Sequence, residues 1–289
     1  MHADSPIGMH PFSSLLIPTA LVLASFAAVQ DAAPEGALPD FSYAGYDHGE
    51  SAPPHVTGRT LDVTDFGAVP DDGRDDAAAI QRAFDVAERV APCVVFFPPG
   101  RFQLGTVDGP PIEPLMMAAS DVVLRGSGHE AGGTELFLPR HLDARDPEKM
   151  WTTPYALQLG PASIEQGAPA RVVSAYDGPT DELLLDDVRD LAAPLRTANP
   201  NLPRDLELVV SEQTMGSGIG VEDLAFVGNW TRPFRHHRSD VDDGGWSLLQ
   251  LRNVTDSWIR RCRFTDVNRP WVLSRCANVS VLDSFTDGN

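Results

Sequence analysis

Cysteine, lysine and long hydrophobic runs are all scarce in this chain. Its 289 residues include three cysteines, Cys93, Cys262 and Cys276, which are too few and too irregularly spaced for a disulfide framework or a zinc finger. We expect them to be buried as small apolar side chains, although the sequence leaves a Cys262–Cys276 disulfide open. Lys149 is the only lysine, so nearly every positive charge is an arginine. The planar arginine fork suits bidentate contacts with carboxylates.

The longest apolar run, from Leu15 to Val29, is shorter than the ~20 residues that a membrane-spanning helix needs. It is typical of a signal-peptide core, with small residues at its end. We therefore predict a signal peptide at residues 1–30, a leader or linker at 31–58, and a secreted or periplasmic protein. The alternative is a hydrophobic N-terminal segment that is retained.

Acidic residues outnumber basic ones by 41 to 22, which gives a formal charge of −19. This charge excludes a generally basic nucleic-acid binder and argues against docking on an anionic membrane. The charge is uneven: residues 228–289 hold nine arginines and seven acids, so +2 lies there and −21 lies in the remainder. An anionic substrate is therefore tolerated best by the C-terminal part.

The region 61–107 predicts a strand, a turn, an amphipathic helix and a second strand. The strand covers Leu61–Phe66, and the helix runs from Asp76 to Val90 because apolar residues recur there at helical spacing. Asp75 or Asp76 is expected to be its N-cap. The segment Cys93–Phe97 reads as a buried strand that ends at Pro98.

Short β-type runs bounded by turn residues follow, and the last part of the chain repeats. Residues 258–266 align with 279–287 at an offset of 21, and 221–226 fits the same frame upstream. A period in the twenties that is made of short strands and turns is typical of a β-solenoid.

Several segments resemble the N-terminal signature of the pectate-lyase superfamily. The resemblance is strong over residues 61–138 and looser over 221–289. The residues that carry it are Asp65-Phe66-Gly67-Ala68, Asp71-Asp72-Gly73, Asp75-Asp76-Ala77-Ala78-Ala79-Ile80-Gln81, Val95-Phe96-Phe97-Pro98-Pro99-Gly100 with Phe102, and Val123-Leu124-Arg125-Gly126-Ser127-Gly128 with Gly133-Thr134.

The resemblance implies an all-β fold, a right-handed parallel β-helix with an N-terminal capping α-helix, over residues 59–289. Because the chain stops just after a coil begins to repeat, we expect the β-helix to be incomplete at its C-terminus. The superfamily includes polysaccharide lyases, glycoside hydrolases, epimerases and phage tailspikes. The fold therefore leaves the chemistry open.

The segment Asn229–Trp246 is richest in groups that do chemistry on sugars. Asp240 and Asp242, if the backbone is extended, would lie on one face and could hold Ca²⁺. The alternative is a solvated, charge-balanced surface loop. The predicted catalytic residues are His236, His237, Asp243, Arg261 and Asp266. The predicted substrate-binding residues are Trp230, Arg235, Trp246, Arg263 and Arg269.

These residues favour an exported enzyme that degrades a polysaccharide, above all a lyase that acts at uronate units. Elimination needs the uronate carboxylate to be neutralised by Ca²⁺ or arginine while a base removes the neighbouring proton. One alternative is a glycoside hydrolase that uses an Asp pair. The other is a non-catalytic adhesin or carbohydrate-binding β-helix.

Overall fold

The computed structural model describes residues 44–162 and 214–288, together with two short strands between them. Contacts divide the chain into a unit at Met1–Phe41, which lies outside the described residues, and a unit at Ser42–Asn289. The predicted signal peptide therefore also lies outside them. Within the described residues, no helix is long and apolar enough to cross a membrane.

Helix α1 spans Ala77–Val90, close to the predicted bounds. Its apolar face, with Ile80 and Phe84 at its centre, is fully buried. Asp75 accepts a hydrogen bond from the Ala77 N–H (2.9 Å), whereas Asp76 joins separate segments by accepting the Val69 and Gln103 N–H groups (2.8 and 2.9 Å). Asp76 is therefore the N-cap residue by position, but its side chain makes no capping hydrogen bond to the helix.

Nineteen short strands make up most of the described regular structure. The predicted strand at Leu61–Phe66 is shorter than expected, because residues 63–66 form a 3-10 turn. In chain order the strands are β1 Thr60–Asp62, β2 Cys93–Phe96, β3 Gly100–Gln103, β4 Leu115–Met117, β5 Val122–Arg125, β6 Thr134–Leu138, β7 Leu157–Leu159, β8 Tyr176–Asp177, β9 Glu182–Leu183, β10 Gly216–Ser217, β11 Gly220–Glu222, β12 Ala225–Gly228, β13 Ser247–Arg252, β14 Val254–Thr255, β15 Ser257–Arg260, β16 Arg263–Thr265, β17 Arg269–Ser274, β18 Val279–Leu282 and β19 Phe285–Asp287.

Three parallel sheets form the walls of the fold. Sheet 1 has the order β1-β2-β5-β11-β15-β18, sheet 2 the order β19-β16-β12-β6-β3, and sheet 3 the order β17-β13-β7-β4. The chain visits sheets 1, 2 and 3 in turn, so each circuit is one coil stacked on the last. This confirms the predicted all-β parallel β-helix with an N-terminal helix. Strands β10 and β14 add a short parallel pair, and β8 and β9 pair antiparallel.

The repeat in the last coils has an offset of 22 residues, not the predicted 21. Trp258 pairs with Ser280, and Phe264 pairs with Thr286. A slip of one residue exchanges the two faces of a strand. Phe264 is accordingly fully buried and stacks on Phe226 (4.8 Å between ring centroids), whereas Phe285 is 42% exposed.

All three cysteines are free thiols, so Cys262 and Cys276 do not form a disulfide. Cys262 is fully buried, and this burial raises the pKa of its thiol to about 12. The expected role as small apolar side chains is confirmed for Cys93 and Cys262, while Cys276 is half-buried.

Part of the predicted leader lies against the outer face of sheet 1. Arg260 donates to the Pro53 and Pro54 carbonyls (both 2.8 Å), and Arg125 donates to that of Val56 (2.9 Å). The same two arginines contact the fully buried Glu222 carboxylate at 2.5 Å each. A buried charge cluster therefore ties this segment to the coils.

The connections from sheet 2 to sheet 3 differ greatly in length from coil to coil. Successive coils cross at residues 104–114, 139–156, 229–246 and 266–268. Because the coils stack, these four connections lie on the same side of the β-helix. The segment Asn229–Trp246 is the third of them.

Candidate functional site

A pocket of about 360 Å³ lies where three of these stacked connections meet. The second connection supplies Met150 and Trp151, the third supplies residues from Phe234 to Asp243, and the fourth supplies Asn268 with Arg269 at the start of β17. The lining residues are Met150, Trp151, Phe234, His236, His237, Asp242, Asp243, Asn268 and Arg269. We call this the three-coil pocket.

His237 and Asp243 form a hydrogen-bonded pair in the three-coil pocket. The Asp243 carboxylate lies 2.8 Å from the His237 ring Nδ1 and accepts the His237 backbone N–H at 2.8 Å. Burial would raise the pKa of the Asp243 carboxyl, but the two hydrogen bonds and the nearby imidazoles together lower it below its usual value. An ionised carboxylate only accepts hydrogen bonds, so Nδ1 carries a proton in this pair, and the tautomer that keeps this hydrogen bond leaves the lone pair on Nε2.

His236 lies directly against this pair. Its ring stacks on that of His237, with 3.6 Å between centroids and a tilt of 32°. Both histidines are exposed. One ligand atom from each of His236, His237 and Asp243 lies within 4.8 Å of the other two, so these predicted catalytic residues are brought together.

The predicted calcium ligands Asp240 and Asp242 are not arranged as expected. The backbone at Asp240 is helical, and residues 241–245 form a π-helical turn, so the extended premise is wrong. The fully buried Asp242 carboxylate is held by Arg238 (2.5 and 2.9 Å) and Arg232 (3.0 Å). Hydrogen bonds from Arg238 lower its pKa to about 2. Its oxygens are therefore engaged by guanidinium groups, and the pair does not fit a Ca²⁺ site.

Arg269 contributes a guanidinium to the same pocket. Within residues 44–162 and 214–288, no ion pair is formed by Arg269, whereas Arg261 pairs with Asp223 and Arg263 with Asp287. The Arg269 side chain lies against Gly244, where a Cβ would come within 3.3 Å of its Nη1. Glycine at this position therefore leaves space for the arginine.

Asn268 connects the fourth coil to the π-helical turn. Its side-chain amide donates to the Val241 carbonyl (3.2 Å) and to the Asp242 carbonyl, and its Oδ1 accepts the Trp246 N–H (3.2 Å). Asn268, the residue before Arg269, therefore holds in place the segment that carries Asp243.

Two exposed aromatic rings border the three-coil pocket. Trp151 is 71% exposed and Phe234 is 55% exposed. Large apolar side chains left in water beside a polar pocket are typical of ligand-binding surfaces. The predicted aromatic platforms are wrong in this respect: Trp230 and Trp246 are buried, at 3% and 5% exposure, and pack in the core.

Three other predicted site residues lie outside the pocket lining. Arg261 donates twice to Asp223 (2.6 and 2.7 Å) at the turn between β15 and β16. Arg263 contacts Asp287 at 2.5 Å on sheet 2. Asp266 lies at the turn after β16, with a backbone φ of 52°. None of the three is among the residues that line the three-coil pocket, and their predicted roles stay predictions.

The backbone of Arg235 donates its N–H to the Asp242 carboxylate at 3.4 Å and accepts the Arg238 N–H at 3.2 Å. Its exposed side chain is not among the pocket-lining residues. Its predicted contact with substrate stays a prediction.

Sequence reasoning missed Trp151 and Met150. The segment 141–169 shows little hydrophobic periodicity, so the sequence around Trp151 gives no sign of a functional site. The available clue was the length of the connections at 139–156 and 229–246. Long connections of stacked coils meet on one side of a β-helix, so residues of the two are expected to lie close together.

A comparison with protein-family models agrees with the predicted family resemblance. Residues 60–130 match a family model described as rhamnogalacturonase A/epimerase, pectate lyase-like. The predicted resemblance to the pectate-lyase superfamily is confirmed over these residues. A comparison with curated proteins finds no match.

Solved structures similar to this chain include the A-module of mannuronan C-5 epimerase AlgE4 from Azotobacter vinelandii, at 17% identity over 78% of this chain and 41% of that one, with a TM-score of 0.38. The surface adhesin PfbA of Streptococcus pneumoniae aligns at 16% identity over 78% and 38%, with a TM-score of 0.44. A family 28 exopolygalacturonase of Yersinia enterocolitica aligns at 16% over 80% and 43%, with a TM-score of 0.33. The chain spans about two fifths of the length of these proteins.

Proposed function

We propose that the three-coil pocket binds a uronate unit of a polysaccharide and removes the proton beside its carboxylate. The polysaccharide is thereby cleaved by elimination at that unit. The observation that carries this proposal is the presence, in one pocket, of the His237–Asp243 pair and of Arg269. The first supplies a base and the second a fixed positive charge. The pocket volume of about 360 Å³ is in the range of small-ligand sites.

Each group has a defined role in the proposed reaction. His237 Nε2 takes the proton from C5, and the electron pair forms the double bond between C4 and C5. The glycosidic oxygen leaves C4 with its bonding pair and takes a proton from water. Negative charge develops on the uronate carboxylate during this step, and the Arg269 guanidinium stabilises it.

In this proposal Arg269 supplies the positive charge that a metal cation would otherwise supply. Elimination needs the carboxylate to be neutralised, and the Asp240–Asp242 pair does not offer free oxygens for Ca²⁺. Arg269 has no acidic partner among the described residues and is therefore available for the substrate. The exposed rings of Trp151 and Phe234 are proposed to pack against sugar faces.

The alternative of two-carboxylate hydrolysis has less support. Such a mechanism needs a second carboxyl group facing the first across the bond. Asp242 is engaged by two arginines, and Asp266 is not a pocket residue. Asp243 is then the one pocket carboxylate among the described residues that is free of arginine.

The reaction is tested by incubating the full-length protein with polygalacturonate, alginate and neutral glycans. Unsaturated products that absorb in the ultraviolet are expected from a uronate polymer only. New reducing ends without this absorbance would mean hydrolysis, and binding without any product would mean a carbohydrate-binding module. Either outcome would contradict the proposal.

Arg269→Gln tests the charge within that assay. We expect the turnover to fall by about 100-fold or more, because one preorganised stabilising group is lost from the transition state. Arg89→Gln, an exposed arginine in the last turn of α1, is the matched control and should retain activity.

Export of the protein is proposed from the sequence alone. The apolar run at Leu15–Val29 and the polysaccharide substrate both favour it. Fractionation of the producing cells, with an antibody against the β-helix, should find the protein outside the cytoplasm. Retention of the unprocessed chain in the cytoplasm would contradict it.

A further inference from the structure

We propose that His236, His237 and Asp243 form a binding site for a divalent cation of the later first-row transition series, represented by Zn²⁺. One ligand atom from each residue lies within 4.8 Å of the other two. All three are on the third connection between sheets 2 and 3, where the chain turns back on itself between the two histidines and the π-helical turn.

Two of the three ligands are already held in place. Asp243 Oδ1 accepts the His237 N–H at 2.8 Å, and Asp243 Oδ2 lies 2.8 Å from His237 Nδ1. The Asp243 backbone N–H donates to the Ser239 carbonyl at 3.0 Å, which closes the turn. The Asp243 side chain is 9% exposed, so the carboxylate has little freedom.

The third ligand is free to adjust. His236 is exposed, and its ring contacts are with Phe234 (6.3 Å) and His237 (3.6 Å). A small rotation of an exposed side chain brings a ring nitrogen towards the pair, at little cost in free energy. Because both histidines are open to solvent, a cation has a direct route to them.

The donor types select the class of metal. Two imidazole nitrogens and one carboxylate oxygen are the ligands of Zn²⁺ and its neighbours. Ca²⁺ and Mg²⁺ prefer sets made of oxygen atoms. The nearby arginines do not remove this preference, because Arg232 and Arg238 are neutralised in part by Asp242. Arg269 in the same pocket opposes the cation, so we expect moderate rather than very tight binding.

Metal binding has a consequence that rests on the proposed function. A cation on the imidazole nitrogens occupies the base that removes the substrate proton. Zn²⁺ should therefore inhibit the elimination, and a chelator should restore it. The site itself does not depend on that activity, because it is assigned from the ligand geometry.

The test is calorimetric titration of ZnCl₂ into the full-length, chelator-treated protein without a polyhistidine tag and without substrate. His236→Gln should weaken the binding by about tenfold or more through the loss of one ligand, and Asp243→Asn should do the same. His55→Gln, which replaces an exposed histidine of the leader, is the matched control. CaCl₂ should give no binding at this site.

Two results would overturn the proposal: no Zn²⁺ binding by the unaltered protein, or equal affinity in the unaltered protein and in His236→Gln. Circular dichroism establishes that each variant is folded. Since no polysaccharide is present, a failure here leaves the elimination assay untouched, and an inactive protein that still binds Zn²⁺ through His236 contradicts only the proposed function.

Discussion

The Asp243 carboxylate is bound twice by His237, once by the backbone N–H and once by the imidazole Nδ1, at 2.8 Å in both cases. The two contacts fix both the position and the tautomer of the ring. A histidine held in this way offers Nε2 as a base without first having to reorient.

His237→Gln removes this base. We expect the turnover on a uronate polymer to fall by about 100-fold or more, with a smaller change in KM, because a general base acts in the chemical step. Steady-state kinetics of the unsaturated product provide the measurement. Asp243→Asn should also lower kcat, since the amide no longer enforces the same tautomer. Retention of full kcat in His237→Gln would exclude the ring as the base.

Asp242→Asn should destabilise the third connection. The carboxylate is fully buried between Arg232 and Arg238, so the substitution leaves two guanidinium groups facing a neutral amide. We expect the free energy of unfolding to fall by about 1–3 kcal/mol. Chemical denaturation at neutral pH measures it. Asp240→Asn, which breaks no described ion pair, is the control, and equal stability of the two variants would contradict the assignment.

Trp151→Ala separates substrate binding from folding. The ring is 71% exposed, so its removal should change the stability by no more than about 0.5 kcal/mol. If the ring packs against sugar, KM for the polysaccharide should rise. Kinetics and thermal denaturation are measured on the same preparation.

Trp246→Ala is the matched comparison. This ring is buried, and we expect its truncation to cost about 3–5 kcal/mol of stability. The opposite pattern, with Trp246→Ala folding normally and losing substrate affinity, would restore Trp246 as a binding platform.

A chelator tests the calcium expectation. Because the Asp242 oxygens are engaged by arginine and Arg269 supplies the positive charge, we expect turnover to persist in excess EDTA. Loss of activity in EDTA that CaCl₂ restores would show that a cation neutralises the substrate carboxylate. Restoration by ZnCl₂ would contradict the expected inhibition.

Glu222→Gln tests the buried cluster beneath the leader. Glu222 is fully buried between Arg125 and Arg260, so loss of its charge should lower the stability by about 3–5 kcal/mol. Glu135→Gln breaks the exposed pair with Arg101 and should cost only about 0–1 kcal/mol. Similar losses of unfolding free energy in both variants would argue against a stabilising role of the buried cluster between the leader and the coils.

The fold was predictable because its determinants are local. A few neighbouring residues determine each local feature: the apolar face of α1, the turn after Phe66 and the strand at Cys93. The register of the last coils could not be predicted in the same way, because Phe264 and Phe285 look equivalent in sequence. The αL residues Arg261 and Asp283 at successive corners, 22 positions apart, mark the true frame only once backbone conformation is known.

The site was predictable only in part. His236, His237 and Asp243 are near in sequence, so composition pointed to them. The exposure of Trp151 and the burial of Trp246 depend on which coil covers each ring. The assumption of an extended backbone at Asp240 failed because two preceding arginines, Arg232 and Arg238, hold the Asp242 carboxylate in a compact turn.

The three-coil pocket takes Trp151, His237 and Arg269 from three successive coils. During synthesis these residues leave the ribosome in that order, and each coil can stack only on one already made. The histidine and the tryptophan are therefore synthesised before the arginine. A nascent chain therefore acquires the guanidinium of the pocket last, and a chain released before β17 would lack it.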